Sequence, residues 1–357
     1  MEVDVRGKKK ARGITLIVLA IFILLFSILS MFVVKVIYDG QFQRYDKPEV
    51  SGYLQYSNVD GYDRTTVEFE SKENTLTGYL YGEGNEKGVV VIAHGLGEGA
   101  ENYLAETMYF VDNGWRVFSF DGTGSHESEG EGTIGLPQSV IDLDAALTYI
   151  KSNNRLINLP IMLYGHSWGG YAVTAILNGN HDISAVASIS GFNSPSEFLL
   201  EQADNMMGFF SYVEYPFLWI YQNMLFGRTA RMTAVDGINN TDTAVLIIHG
   251  DKDESISYDG SSIIAHKGDI TNHLAKTKTI SEENHNGHNN LFVSDAASKY
   301  INKKNEEYKV LFERYNENIP KDIKAEFYEG VDKFKTSELD VEFMREINRF
   351  FEGSLSN

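Results

Sequence analysis

The chain has 357 residues, 43% of them hydrophobic, which is enough material for one large core or two small ones. It contains no cysteine, so disulfides, thiolate catalysis and cysteine-based metal sites are excluded. The net charge of −19 opposes polyanionic partners, and no nucleic acid is expected.

Residues Ile14 to Val34 form an apolar run whose polar members are Thr15, Ser27 and Ser30. At ~1.5 Å per residue, a helix of that length crosses a ~30 Å hydrocarbon core. Arg6, Lys8, Lys9, Lys10 and Arg12 precede the run, whereas only Lys35 lies close behind it. The positive-inside rule therefore predicts a cytoplasmic tail over 1–13, an uncleaved transmembrane signal-anchor over 14–37 and a translocated remainder at the cell membrane. A cleaved signal peptide is the alternative. It would carry a shorter apolar region, roughly 7–15 residues, and a small-x-small cleavage site, but Ser27-Ile28-Leu29-Ser30 sits inside a run that continues to Val34. The tail carries a local charge of +3, which leaves −22 for the rest, read here as a solubility device.

Residues 38–63 are polar and tyrosine-rich without a clear period, and read as a juxtamembrane linker. Next, Thr65 to Ser71 alternates as a strand should, and Leu76 to Gly82 follows after the turn-prone Lys72-Glu73-Asn74, giving an antiparallel hairpin at a sheet edge. From Gly88 the pattern changes. Val89 to Ala93 is continuously apolar, as in a strand covered on both faces. A helical segment Tyr103 to Asn113, a strand Trp115 to Phe120 and a helix Leu136 to Asn153 follow. Ile161 to Gly165 is again apolar and runs into Gly165-His166-Ser167-Trp168-Gly169, with small and apolar residues at helical spacing behind it. Further strands are read at Ser184 to Ser190, Ala244 to Ile248 and Thr277 to Ile280. Strands alternating with helices of ten or more residues predict a doubly wound, mostly parallel sheet.

A strand, a Gly-x-Ser-x-Gly turn and a helix form the order of a nucleophile elbow, with Ser167 at the tip. A serine hydroxyl is a poor nucleophile unless a neutral imidazole takes its proton, and that imidazole needs a carboxylate to fix its tautomer. Acid candidates, Asp251 and Asp253, lie beyond the strand that starts at Ala244. The base candidates in the loop after the last strand are His285 and His288, and a helix-like run, Asn289 to Tyr300, follows them. His285-x-x-His288 with Glu282 and Glu283 also suggests a metal, but no third ligand motif accompanies it, and neither metal nor cofactor is expected.

Five motifs stand in order: His94-Gly95-Leu96-Gly97-Glu98, Asp121-Gly122-Thr123-Gly124 with Ser128-Glu129-Gly130, Gly165-His166-Ser167-Trp168-Gly169-Gly170, His249-Gly250-Asp251-Lys252-Asp253, and Gly287-His288-Asn289-Asn290. Together they resemble the α/β-hydrolases, and within them the monoacylglycerol lipase-like and serine aminopeptidase-type group. The resemblance covers roughly Thr65 to Tyr300 plus a final helix near Glu342 to Phe351. It implies an α/β-hydrolase fold with a helical cap over 192–243. It also implies Asp253 as the acid, His288 as the base, and the N–H groups of Leu96 and Trp168 as the oxyanion hole. His94 then braces its own loop, Asp121 organises the glycine-rich loop it begins, and His166 packs.

The cap segment is rich in large apolar side chains, among them Phe198, Met206, Met207, Phe209, Phe210 and Trp219. Collectively these suggest an apolar or lipid-derived acyl substrate. Residues 301–337 are charged and tyrosine-rich, and read as a helical insertion broken at Pro320 with mostly solvated faces. The reading that results is a membrane-anchored serine hydrolase of carboxylic esters. The alternatives are a peptidase of the same fold, in which a cap acid among Glu197, Glu201, Asp204 and Glu214 holds an amino terminus, and a silent tethered scaffold.

Overall fold

The structure is a computed structural model that describes residues 2–355, with side chains from Lys9 onward. The side chains of Arg6 and Lys8 in the basic tail lie outside the described residues. The first helix, α1, runs from Glu2 to Gln41. Within Lys9–Gln41 an 18-residue window has a mean hydropathy of 3.1, and among the described residues α1 is the helix long and apolar enough to cross a membrane. Most of its apolar side chains between Ile14 and Phe32 are exposed.

Eight strands form one sheet in the order β1-β2-β4-β3-β5-β6-β7-β8. The strands are β1 (Arg64–Ser71), β2 (Asn74–Tyr81), β3 (Val89–Ala93), β4 (Arg116–Phe120), β5 (Ile161–His166), β6 (Ala185–Ile189), β7 (Ala244–Gly250) and β8 (Ala275–Ile280). Pairing is antiparallel between β1 and β2 and between β2 and β4, and parallel everywhere else. The central strands are buried on both faces, which is why they read as unbroken apolar runs. Along β3, Val89, Val91 and Ala93 enter one core, while Val90 and Ile92 enter the other.

On one face lie α2 (Leu104–Asp112) and the last helix, α11, whose Phe343, Met344, Ile347 and Phe351 recur at helical spacing and pack on Phe110 and Trp115. On the other lie α3 (Gln138–Ser152) and α4 (Trp168–Ala175), then the cap helices α5 (Pro195–Met207) and α6 (Phe210–Phe226) and the short α7 (Ala234–Asn239). After β8 come α8 (Asp295–Arg314), α9 (Lys321–Glu329), α10 (Lys333–Thr336) and α11 (Val341–Ser354).

Three boundaries differ from the sequence reading. The helix read as ending at 37 continues to Gln41, and the linker behind it is packed into the domain. Tyr38, Phe42 and Leu54 are buried, and Arg44 donates to the carbonyls of His126, Ser128 and Gly130. Polar tyrosines concealed this, because their rings bury while composition counts them as surface. The helical run read from Asn289 starts only at Asp295, capped by the Ser294 hydroxyl, since the preceding residues form the His288 loop. Accordingly the insertion read as beginning at 301 starts inside α8. Its far end braces the segment around Gly52, whose carbonyl accepts from Thr336 Oγ1 at 2.6 Å.

Glu106 of α2 is 2% exposed, and burial pushes its carboxyl up to about 8. In the unfolded chain the group titrates near ~4.3. Between those values the native state holds a proton that the unfolded state has lost, so stability falls as pH rises through the window. Glu106→Gln should therefore gain on the parent as pH is raised from about 5 to about 8, by several °C in Tm at the upper end. Thermal unfolding across that range checks it, and a difference that does not grow with pH would contradict it.

Candidate active site

The centre of the sheet carries Ser167 between β5 and α4. Its backbone sits at φ 56°, ψ −115°, a conformation that side chains other than glycine rarely adopt. The turn closes because Gly165 and Gly169 lack side chains. A Cβ on Gly165 would meet the Gly169 carbonyl, and one on Gly169 the Ala93 carbonyl of β3. The Ser167 amide donates to the Ile189 carbonyl at 2.9 Å, tying the elbow to β6.

Two loops bring the other groups. The turn after β7 supplies Asp253, and the loop between β8 and α8 supplies His288. His288 Nε2 lies 2.9 Å from Ser167 Oγ, and its Nδ1 lies 2.8 and 3.0 Å from the two Asp253 oxygens. Asp253 also accepts from the amides of Ser255 and Ile256 at 2.9 and 2.8 Å. Burial alone would raise its pKa, but hydrogen bonds from His249 and His288, with the His288 charge, hold the carboxyl well below the usual range.

The alternatives named from the sequence sit elsewhere. Asp251 accepts from the Asn286 side chain at 2.7 Å, and His285 Nε2 lies 3.0 Å from Asp295. His94 bridges two loops, with Nδ1 on the Gly95 carbonyl at 2.7 Å and Nε2 accepting from the Gly122 amide at 2.9 Å. Asp121 reaches beyond its own loop, taking the Ala100 amide at 2.8 Å. Trp168 is the first residue of α4, where a backbone N–H has no intrahelical partner, and Leu96 lies in the turn after β3.

Composition and spacing missed three contributors. His249 is fully buried and its Nε2–H donates both to Asp253 Oδ2 and to the Ile256 carbonyl, each at 3.1 Å. At the end of an apolar strand it reads as filler. His166, expected to pack, donates from Nε2 to the His288 carbonyl at 3.0 Å, and burial followed by the nearby His288 lowers its pKa to about 3, so it stays neutral. Asp142 gathers Ser71 Oγ at 2.6 Å, with the Thr123 amide and the Gln138 side chain each at 2.8 Å, tying α3 to the loop after β4. Gln138 and Asp142 on the buried stripe of α3, four residues apart, were its signal.

A cavity of about 320 Å³ lies between α1, α5 and α6, and its lining includes Leu96 and Leu136, whose carbonyl accepts from Trp168 Nε1 at 2.6 Å. A wider groove of about 740 Å³, lined by Phe69, Val140, Tyr149 and Met232, contains none of the candidate residues.

Sheet order, elbow and loop placement together define an α/β-hydrolase fold. Within that class, residues 84–226 match the family described as serine aminopeptidase, S33. The chain is 29% identical over 137 residues to the quorum-quenching protein AidA of Acinetobacter baumannii, a match over 36% of this chain and 45% of that protein, so it spans less than half of the relative's length. Among solved structures, a Pyrococcus furiosus esterase superposes with a TM-score of 0.52 at 16% identity, covering 78% of this chain and 100% of the esterase. The α/β hydrolase GrgF from a Penicillium species gives 0.50 at 15% identity, covering 68% and 97%. At those identities the likeness is one of fold.

Proposed function

We propose that the protein is a membrane-anchored serine hydrolase that cleaves carboxylic esters with apolar acyl groups. The observation that carries this reading is the unbroken hydrogen-bonded chain from Ser167 Oγ through His288 to Asp253, with the serine held on a strained elbow. His288 Nε2 takes the Ser167 proton as Oγ attacks the acyl carbonyl, and Asp253 holds the proton on Nδ1 and stabilises the imidazolium. The N–H groups of Leu96 and Trp168 receive the developing oxyanion. His288 returns the proton to the leaving alkoxide, then takes one from water as the hydroxide attacks the acyl-enzyme, and gives that proton to Ser167 Oγ as the carboxylic acid leaves. The basic tail keeps the N-terminus cytoplasmic, and the domain stands on the opposite side of the cell membrane.

Ester rather than peptide cleavage is favoured by the apolar lining of the cap cavity, with Phe198, Met206 and Leu218 in it, while three cap acids hold partners of their own. Glu201 accepts from the Ser257 and Ser261 amides at 3.0 and 2.8 Å, Glu197 accepts from Asn193 at 2.9 Å, and Glu214 from Ser30 at 3.1 Å. Asp204 accepts from Ser211 Oγ at 3.3 Å, and Glu214 Oε2 is buried without a partner among the described residues, so the cap acids by themselves leave a carboxylate oxygen open to an amino terminus. The full chain in detergent should label with a fluorophosphonate and turn over p-nitrophenyl esters faster than an aminoacyl anilide. Well-folded protein that neither labels nor hydrolyses esters would end this reading, and faster anilide turnover would move it to a peptidase.

His249 acts here as a positioning residue, since it touches Asp253 and not the substrate. His249→Phe should lower kcat on the order of 10- to 100-fold with little change in KM, because a slight rotation of Asp253 misaims His288. His249→Gln, which retains an N–H donor, should recover much of that loss. Equal losses in both variants would mean that the side chain only fills space.

A further inference from the structure

Building on the ester hydrolase reading, we infer that the far end of α1 is a wall of the acyl site, and that a lipid acyl chain reaches Ser167 sideways from the bilayer between α1 and the cap. The cavity that has Leu96 in its lining is bounded by Val33, Val34 and Ile37 of α1 and by Phe198, Met206 and Leu218 of the cap. The cavity therefore borders the turn after β3 that carries Leu96. Its outer wall is the same apolar helix that is long enough to cross the membrane.

Depth follows from spacing along α1. The apolar run ends at Val34, and Lys35 marks the polar boundary, paired with Asp39 at 2.5 Å and lying 3.3 Å from the Tyr221 hydroxyl. Phe26 lies eight residues earlier, about 12 Å down the axis and inside the hydrocarbon. Phe217 of α6 packs on Phe26 edge to face with centroids 5.9 Å apart, so α6 occupies hydrocarbon depth beside α1. The outward side chains of this region suit that depth: Met206, Phe209, Phe210 and Met224 are each more than 70% exposed. A patch of this kind, continuous with a membrane span, matches hydrocarbon as its occupant.

One polar contact sits in this apolar layer and fixes the two helices against each other. Ser30, 3% exposed, donates to Glu214 of α6 at 3.1 Å. At membrane depth such groups are retained only when paired across helices. The anchor is thereby part of the site rather than a detachable tether, and a chain beginning at residue 39 would leave the cavity open where Val33, Val34 and Ile37 stood.

The test uses the full chain in phosphatidylcholine vesicles, with kcat/KM measured for p-nitrophenyl decanoate and p-nitrophenyl acetate. Val34→Trp, from the α1 side, and Ala203→Leu, from the cap side, should each lower the decanoate-to-acetate ratio at least tenfold. Leu19→Trp, on an exposed part of α1 away from the cavity, should leave the ratio within twofold of the parent. Trp115 and Trp168 are buried and Trp219 of α6 is 41% exposed, so dibrominated phosphatidylcholine should quench a fluorescence component that Trp219→Phe removes. An unchanged ratio in both cavity variants that still label with fluorophosphonate, or an absence of quenching, would overturn the inference and leave the hydrolase reading standing. A parent chain that neither labels nor turns over acetate would overturn both.

Discussion

Ser167→Ala should abolish fluorophosphonate labelling and lower ester turnover by about 10⁴- to 10⁶-fold. Without Oγ no acyl-enzyme forms, and what survives is the oxyanion hole acting on a water attack. The fold should persist, because the hydrogen bond made by Oγ goes to His288 and the elbow is held by the Ser167 amide on β6. Ser167→Gly separates the two effects further. Glycine adopts φ 56° without the steric cost that serine bears, so this variant should be inactive yet more stable than the parent by about 1 kcal/mol. Turnover of a p-nitrophenyl ester and thermal unfolding, measured on both variants, check the pair. Substantial activity in either would place the nucleophile elsewhere.

Asp253→Asn should lower kcat by about 10⁴-fold with the protein folded. The amides of Ser255 and Ile256 both point at Oδ1, so the asparagine oxygen must take that place and its NH₂ group must face His288 and His249. A donor opposite Nδ1 moves the imidazole proton to Nε2, toward Ser167, where it can no longer accept. Asp251→Asn serves as the comparison and should stay within about twofold, since Asp251 is held by Asn286 and is not bonded to His288. The same carboxyl links to acid stability. Its native pKa is depressed, so its stabilising contribution is complete above the ordinary carboxylate value, ~3.9, and is lost as pH falls through that value toward the native one. The Tm advantage of the parent over Asp253→Asn should shrink as pH is lowered below about 4. An advantage that stays constant would mean the carboxylate is not held in its charged form by its neighbours.

Local pattern carried much of the architecture. β3 is apolar without interruption, and β5, β6 and β7 are buried along nearly all of their length, because both faces of a central parallel strand are covered, while β1 alternates from Thr66 to Ser71 because one face of an edge strand meets water. The elbow was legible because two glycines are forced by backbone contacts on either side of Ser167. Asp142 and His249 were less so. Each is a polar side chain buried among apolar neighbours. Asp142 left one trace, Gln138 a turn before it, while its bond to Ser71 spans 71 residues. His249 turns back onto Asp253 and Ile256 of the turn that follows its own strand.

By itself the sequence determined an apolar segment long enough to span a bilayer, an alternating strand and helix order, and a serine on a turn that only glycine flanks permit. Each of these rests on steric and burial rules acting within about twenty residues. Tertiary structure supplied the rest: it set His288 and Asp253, which the family resemblance had implied, in line behind Ser167, and it made α1 a wall of the cap cavity. Those outcomes depend on contacts such as Ser30 with Glu214, 184 residues apart in the chain. Such pairs are fixed by how the sheet and cap close in space, and no local spacing encodes them.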